Sequence, residues 1–332
     1  TGNYFTHTPS ADAEYGFSNA GGVQTFQLEV TGNQSVVGYD LSEAAYDNVT
    51  FSFSAQDNGG RGLFFKPDGT KFYIAGDGGN DINEYSMSTA WDLSTASYTT
   101  VFSTASQDNA PFEVFFKSDG TKMYVLGDSS NAIFQYSLST AWDVSTASYD
   151  SVNFSYAGEE GQAYGLTFKP DGTKFYISGV NSSDVFQYSL STAWDLSTAS
   201  YDNVNFNAST QETSVTAVEF SSDGTKMFVI GYQGDDVNEY SLSTAWDVSS
   251  ASYVQKFSVS AQATFPASIR FKPDGTKMYI LKDPSNFYQY TTATSAPITI
   301  TWDADIEWGG GTAPDSPAAN QKDLYTITTD DG

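Results

Sequence analysis

The chain has 332 residues and no cysteine, and its 40 acidic against 14 basic side chains give a net charge of −26. That balance disfavours nucleic acid, whose phosphates require a basic patch. The missing thiols exclude disulfides, thiolate metal sites and cysteine nucleophiles. No run of 18 apolar residues exists, so no membrane insertion is expected, while 22 Tyr and 24 Phe supply ample core material. The acidic excess reads either as solubility through self-repulsion or as carboxylates that hold cations or sugar hydroxyls.

The N-terminal part carries a degenerate unit. Asn3 to His7 is strand-like, and His7, the single histidine, reads as a strand residue. Tyr39-Asp40-Leu41-Ser42 reads as a shortened copy of the Tyr-Ser-Leu-Ser found later, with Asn48 to Ser54 as its outer strand. From there one unit recurs. Asp-Gly-Thr-Lys stands at Asp68, Asp119, Asp171, Asp223 and Asp274, a step of 51 or 52 residues. Ala-Trp-Asp keeps the same step at Trp91, Trp142, Trp194 and Trp246. Within the copy at Asp171, four strands are expected, A to D. They are Gly165 to Lys169, Lys174 to Ser178, Val185 to Ser189 and Tyr201 to Asn207, rich in β-branched and aromatic residues. Pro170-Asp171-Gly172-Thr173 makes the tight A–B turn, since Pro presets φ and Gly accepts a positive one. Ser191 to Asp195 is expected to form one helical turn, its Trp194 packing on the blade.

A period of this size with four strands per period predicts an all-β chain, a six-bladed β-propeller. Residues 3–8 are expected to close the ring as outer strand of the last blade, hiding otherwise free edges. The propeller would span 1–295. Residues 296–332, with strand-like pieces at Ile298 to Thr301 and Asp323 to Thr328, read as an appendage or a further module.

The A–B turns and C–D connections are nearly identical between units. The B–C and D–A loops differ, and variable loops on a rigid scaffold are where recognition tends to reside. The candidate ligand-binding residues on that face are Asp77, Asp81, Asp128, Asn131, Asp184, Tyr232, Asp235, Asp236, Asp283 and Phe265. Drift on an unused face, and the plain turn-forming habit of Asp and Asn, is the competing reading. Ca²⁺ is a candidate ligand at Asp77, Asp81, Asp235 and Asp236, which offer hard oxygens although no loop follows a full Ca²⁺ pattern. On strand A, Phe64, Phe115, Thr167, Glu219 and Arg270 occupy one position and do not repeat. Glu219 with Arg270 reads as a structural ion pair. Lys71, Lys122, Lys174, Lys226 and Lys277 recur after the turn, as supports for it or partners of a nearby Asp. No Ser–His–Asp set, nucleophile elbow or zinc-helix motif occurs, and the Gly309 to Gly311 run is no phosphate loop, so no enzyme is expected.

The Phe-Lys-Pro-Asp-Gly-Thr-Lys turn and the strand after it resemble propeller repeats of the YVTN type. The fuller unit, Tyr-Ser-Leu-Ser-Thr-Ala-Trp-Asp-Val-Ser-Thr-Ala-Ser-Tyr, resembles repeats of bacteriophage tail-fibre and other tail structural proteins. Trp302 to Trp308, Gly311 to Pro314 and Asp323 to Gly332 look like the C-terminal segment of such proteins. The resemblance implies a multicopy virion protein, extracellular and on a phage tail. It would bind a host cell-surface glycan or protein through the B–C and D–A loops. Three other readings stay open: an architectural component contacting other virion proteins, a secreted bacterial surface propeller, and a metal-dependent lactonase-like hydrolase.

Overall fold

The structure, a computed structural model, describes residues 38–292 in full and only the backbone of several strands at either end. It divides into two compact units, 38–292 and the joined ends 1–37 with 293–332. The larger unit is a propeller of four-stranded antiparallel blades. Blade 1 runs through Gly60–Phe65, Lys71–Gly76, Asp81–Met87 and Ala96–Ser103. Blades 2, 3 and 4 begin at the inner strands Pro111–Phe116, Ala163–Phe168 and Val215–Phe220. Blade 5 takes Pro266–Phe271, Lys277–Lys282 and Asn286–Thr291 from the end of the unit, and its outer strand, Ala45–Ser52, from the beginning. Inner strands touch in ring order, and that of blade 5 returns to that of blade 1.

Five blades, not the expected six, are therefore present among the described residues. The reason is an alignment six residues out. Tyr39-Asp40-Leu41-Ser42 is a copy of the Trp-Asp-Leu-Ser connection, not of Tyr-Ser-Leu-Ser. Tyr39 has φ 58°, matching 64° to 66° at the four blade tryptophans. Its N–H donates to the Gly275 carbonyl at 2.8 Å, as that of Trp91 does to Gly69 at 2.9 Å. The segment is the tail of blade 5, so no further blade is needed. Nor do residues 3–8 close the ring: Asn3–His7 pairs in parallel with Gln24–Thr31, which pairs antiparallel with Lys322–Thr329. Ala13–Tyr15 pairs with Ile300–Trp302, and Gln34–Val37 with Thr294–Pro297. The first 37 residues thus join the C-terminal segment, not the propeller. The side chains of His7, Trp302, Trp308 and the Gly309 to Gly311 run lie outside the described residues.

Local chemistry explains the blade. Asp171 accepts from the Thr173 N–H at 2.9 Å and its hydroxyl at 2.6 Å, and Gly172 takes φ 73°. The helical turn lies past the expected place, at Leu196–Thr198, because Asp195 caps it by accepting from the Ser197 N–H at 3.1 Å. Each Trp packs between blades: Trp194 has Phe168 of its own blade at 5.5 Å and Phe115 of the preceding one at 6.5 Å. The Tyr124 hydroxyl of blade 2 donates to the Trp194 carbonyl at 2.6 Å, and Gln135 accepts from the Leu196 N–H at 2.9 Å. The recurrent lysines are internal braces. Lys122, Lys174 and Lys277 meet Asp150, Asp202 and Asp47 of strand D, while Lys71 and Lys226 meet Glu84 and Glu239 of strand C.

Candidate binding site

Strand A of each blade faces the central channel, and the side chains at its start meet at the end bearing the B–C and D–A loops. Arg61 of blade 1 crosses that end. Its Nη2 lies 3.1 Å from Asp77, its Nη1 donates to the Tyr232 hydroxyl of blade 4 at 3.1 Å, and the same nitrogen pairs with Asp283 of blade 5. The guanidinium also stands 5.5 Å over the Phe112 ring of blade 2. Tyr164 of blade 3 meets Phe112 at 4.4 Å and Tyr232 at 5.8 Å, both edge to face. Arg61 thus meets side chains of blades 1, 2, 4 and 5, and Tyr164 adds blade 3 through Phe112 and Tyr232. Burial alone would lower the pKa of Arg61, but Tyr232, Asp283 and Asp77 outweigh it and raise it. Phe265, 58% exposed, extends the aromatic surface outward from Tyr232 at 6.1 Å.

Of the residues expected to bind a ligand, the structure therefore gathers Asp77, Asp283, Tyr232 and Phe265. The others are occupied in holding loops. Asp235 accepts from the Phe265 N–H at 2.9 Å, and Asp236 pairs with Lys256 at 2.6 Å. Asp184 accepts from Asn205 and Asn207 at 3.0 and 2.6 Å. Asn131, at φ 48°, presents its carbonyl to the Tyr156 N–H. Asp81 accepts from Asn83 at 2.5 Å, and burial, with Asp57 nearby, pushes its pKa up to about 6. Burial and Asp108 likewise raise Asp128. Asp77, Asp81, Asp235 and Asp236 are each engaged with separate protein partners. No group of three or more His, Asp or Glu able to hold a metal exists among the described residues.

Two features escaped the sequence reading. The D–A loops differ in sequence yet share a buried carboxylate, Asp57, Asp108, Glu160 or Glu212. Each caps the B–C loop of its own blade: Glu160 accepts from Gln162 N–H at 2.9 Å and from Ser182 N–H at 3.1 Å. These four recur at the blade step, which was a legible signal. Arg61 was legible too, since it and Arg270 are the only arginines and occupy strand A of adjacent blades.

Deeper in the channel, Arg270 binds Glu219 at 2.8 Å, the expected ion pair. A second carboxylate, Glu113 of blade 2, stands 3.2 Å from the same guanidinium. Glu113 also accepts from the Ser268 hydroxyl at 2.9 Å and the Val114 N–H at 3.0 Å. Burial pushes its pKa up to about 7 despite Arg270.

No protein-family model matches the chain, and no curated protein matches it. Among solved structures it is similar to a "putative 6-phosphogluconolactonase" from Bacteroides uniformis, at 14% identity and TM-score 0.45, over 71% of this chain and 69% of that one. It is also similar to a protein of unknown function from Desulfotomaculum acetoxidans, at 12% identity and TM-score 0.44, over 80% and 78%. Likeness at this level says nothing about activity.

Proposed function

We propose that the chain is a non-enzymatic adhesion module of a phage virion, recognising a host cell-surface glycan through its B–C and D–A loop face. The observation that carries this reading is the Arg61 cluster, where an arginine fixed by Asp77 and Asp283 meets Phe112 and Tyr232, and Tyr164 and the exposed Phe265 extend the aromatic surface from Tyr232. Aromatic faces stack on the apolar faces of sugars, and arginine and tyrosine concentrate at recognition hot spots. The loops around it are stapled by buried carboxylates, so little ordering is needed on binding. Weak single contacts would be multiplied by copy number on the particle. The virion setting itself rests on the resemblance of the repeats and of the C-terminal segment to phage tail proteins.

The test is binding of the chain to whole host cells and to a glycan array, beside Phe265→Ala and Tyr232→Phe. At least a tenfold loss in both variants is expected. A well-folded wild type that binds neither cells nor glycans would overturn adhesion and favour the architectural reading, in which another virion protein covers this face.

A further inference from the structure

At the opposite end, on the face of the A–B turns, the channel opens into a cavity of about 210 Å³. Its wall is aromatic: Trp91, Trp194, Trp246 and Tyr39 from the C–D connections, and Phe64 and Phe115 from strand A. Its floor is Thr167, Glu219 and Arg270. With Glu113 ionised the floor carries a surplus negative charge, because one guanidinium serves two carboxylates, Glu219 at 2.8 Å and Glu113 at 3.2 Å. Glu113 is sealed at 1% side-chain exposure, whereas Glu219 keeps 16%. The buried Arg270 Nε has no hydrogen-bond partner.

We propose that this cavity binds a methylated ammonium head group of the choline type. Aromatic faces attract cations through their quadrupoles, most strongly when water is excluded. Outside the cavity lining, the equivalent Trp142 shows the habit, with Lys66 Nζ 5.9 Å over its ring. The surplus carboxylate supplies the counter-charge, and a net charge of −26 enriches cations around the whole chain. Size agrees, since a cavity of about 150 Å³ admits benzene. A neutral sugar could stack on the rings but would gain nothing from the surplus charge.

The charge also makes binding depend on pH. The groups facing one another are Glu219 from blade 4, Glu113 from blade 2 and Arg270 from blade 5, while blades 1 and 3 contribute Phe64 and Thr167 at this level. The Tyr39 phenol at the wall, pushed up to about 12 by burial, stays neutral. Burial pushes Glu113 up to about 7, so the layer loses its extra proton near neutrality. A bound cation favours that loss, and its affinity therefore rises with pH.

The experiment titrates choline chloride into the full chain and follows tryptophan fluorescence. It runs beside 3,3-dimethylbutan-1-ol, which has the same shape with carbon in place of nitrogen, and glucose. Choline is expected to bind at least tenfold more tightly than the alcohol, and about tenfold more weakly at pH 6 than at pH 8. Glu113→Gln should remove both effects, since it takes away the surplus carboxylate and the group that titrates near neutrality. If that variant does not fold, the isostere comparison and the pH series on the wild type decide alone. Equal binding of alcohol and choline, tighter binding of glucose, or no choline binding at any pH would each overturn the proposal.

Discussion

Trp194 is seated on Gly172. Its N–H donates to the Gly172 carbonyl at 3.0 Å, and its ring covers the glycine so closely that a Cβ there would meet the indole. The same seat recurs at Trp91 on Gly69, Trp142 on Gly120 and Trp246 on Gly224, and with a phenol at Tyr39 on Gly275. It locks the A–B turn to the C–D connection within a blade, and the Trp then packs on the blade before it. Gly172→Ala should therefore cost at least about 2 kcal/mol, from the left-handed backbone and from the displaced ring together. Urea unfolding checks this. A change below about 0.5 kcal/mol would show that the seat is loose.

The buried carboxylates of the D–A loops are structural. Glu160→Ala should leave the N–H groups of Gln162 and Ser182 without their acceptor and cost about 2–3 kcal/mol. Hydrogen exchange should quicken at those two amides before it does in the blade core. Unchanged exchange at Ser182 would contradict the stapling role.

Stability should also carry the mark of Glu113. Its folded carboxyl keeps the proton to about pH 7, while the unfolded one releases it near the ordinary value of 4.5. The stability this contributes is complete below pH 4.5 and is lost as pH rises towards 7, by up to about 3 kcal/mol at 1.4 kcal/mol per pKa unit. Asp119 and Asp171 act in the opposite sense. Burial would raise them, but Lys117 with Thr121, and Lys169 with Thr173, outweigh it and hold both down to about 2. Their contribution disappears as pH falls from about 4 to 2. Urea midpoints from pH 3 to 8 should pass through a maximum on the acid side of neutrality. Glu113→Gln should flatten the limb above pH 5, and an unaltered limb would refute this assignment.

Because Asp77, Asp81, Asp235 and Asp236 are each engaged with protein partners, chelation should change little. The melting temperature in EDTA and in millimolar Ca²⁺ is expected to agree within 1–2 °C; binding at 100 times Kd would add about 2.7 kcal/mol and a plain upward shift.

The blade was legible because its determinants are local. The turn Asp171-Gly172, the spacing to Trp194 and the alternation in strands B and C all lie within one repeat. The blade count was not, because blade 5 is assembled from both ends of the unit and the pairing of Tyr290 with Tyr46 links residues distant in sequence. The best clue was Asp40-Leu41-Ser42, which matches Asp92-Leu93-Ser94 better than any Tyr-Ser-Leu-Ser once Tyr39 is allowed to replace Trp. For the site, loop variability pointed to Tyr232 and Asp283 but equally to Asp184 and Asp236, whose partners are internal. Only the ring geometry distinguishes them, because Arg61 selects the carboxylates that face the axis.

The most direct measurement exploits the absence of cysteine. A single thiol is introduced at Gly158→Cys, an open position on the D–A loop of blade 3, or at exposed Ala193→Cys on the opposite face. Each is coupled to a large maleimide polymer and assayed for binding to host cells. The account predicts that the polymer at position 158 abolishes binding and the polymer at 193 leaves it intact. Loss of binding only from position 193 would contradict it and move recognition to the face of the A–B turns.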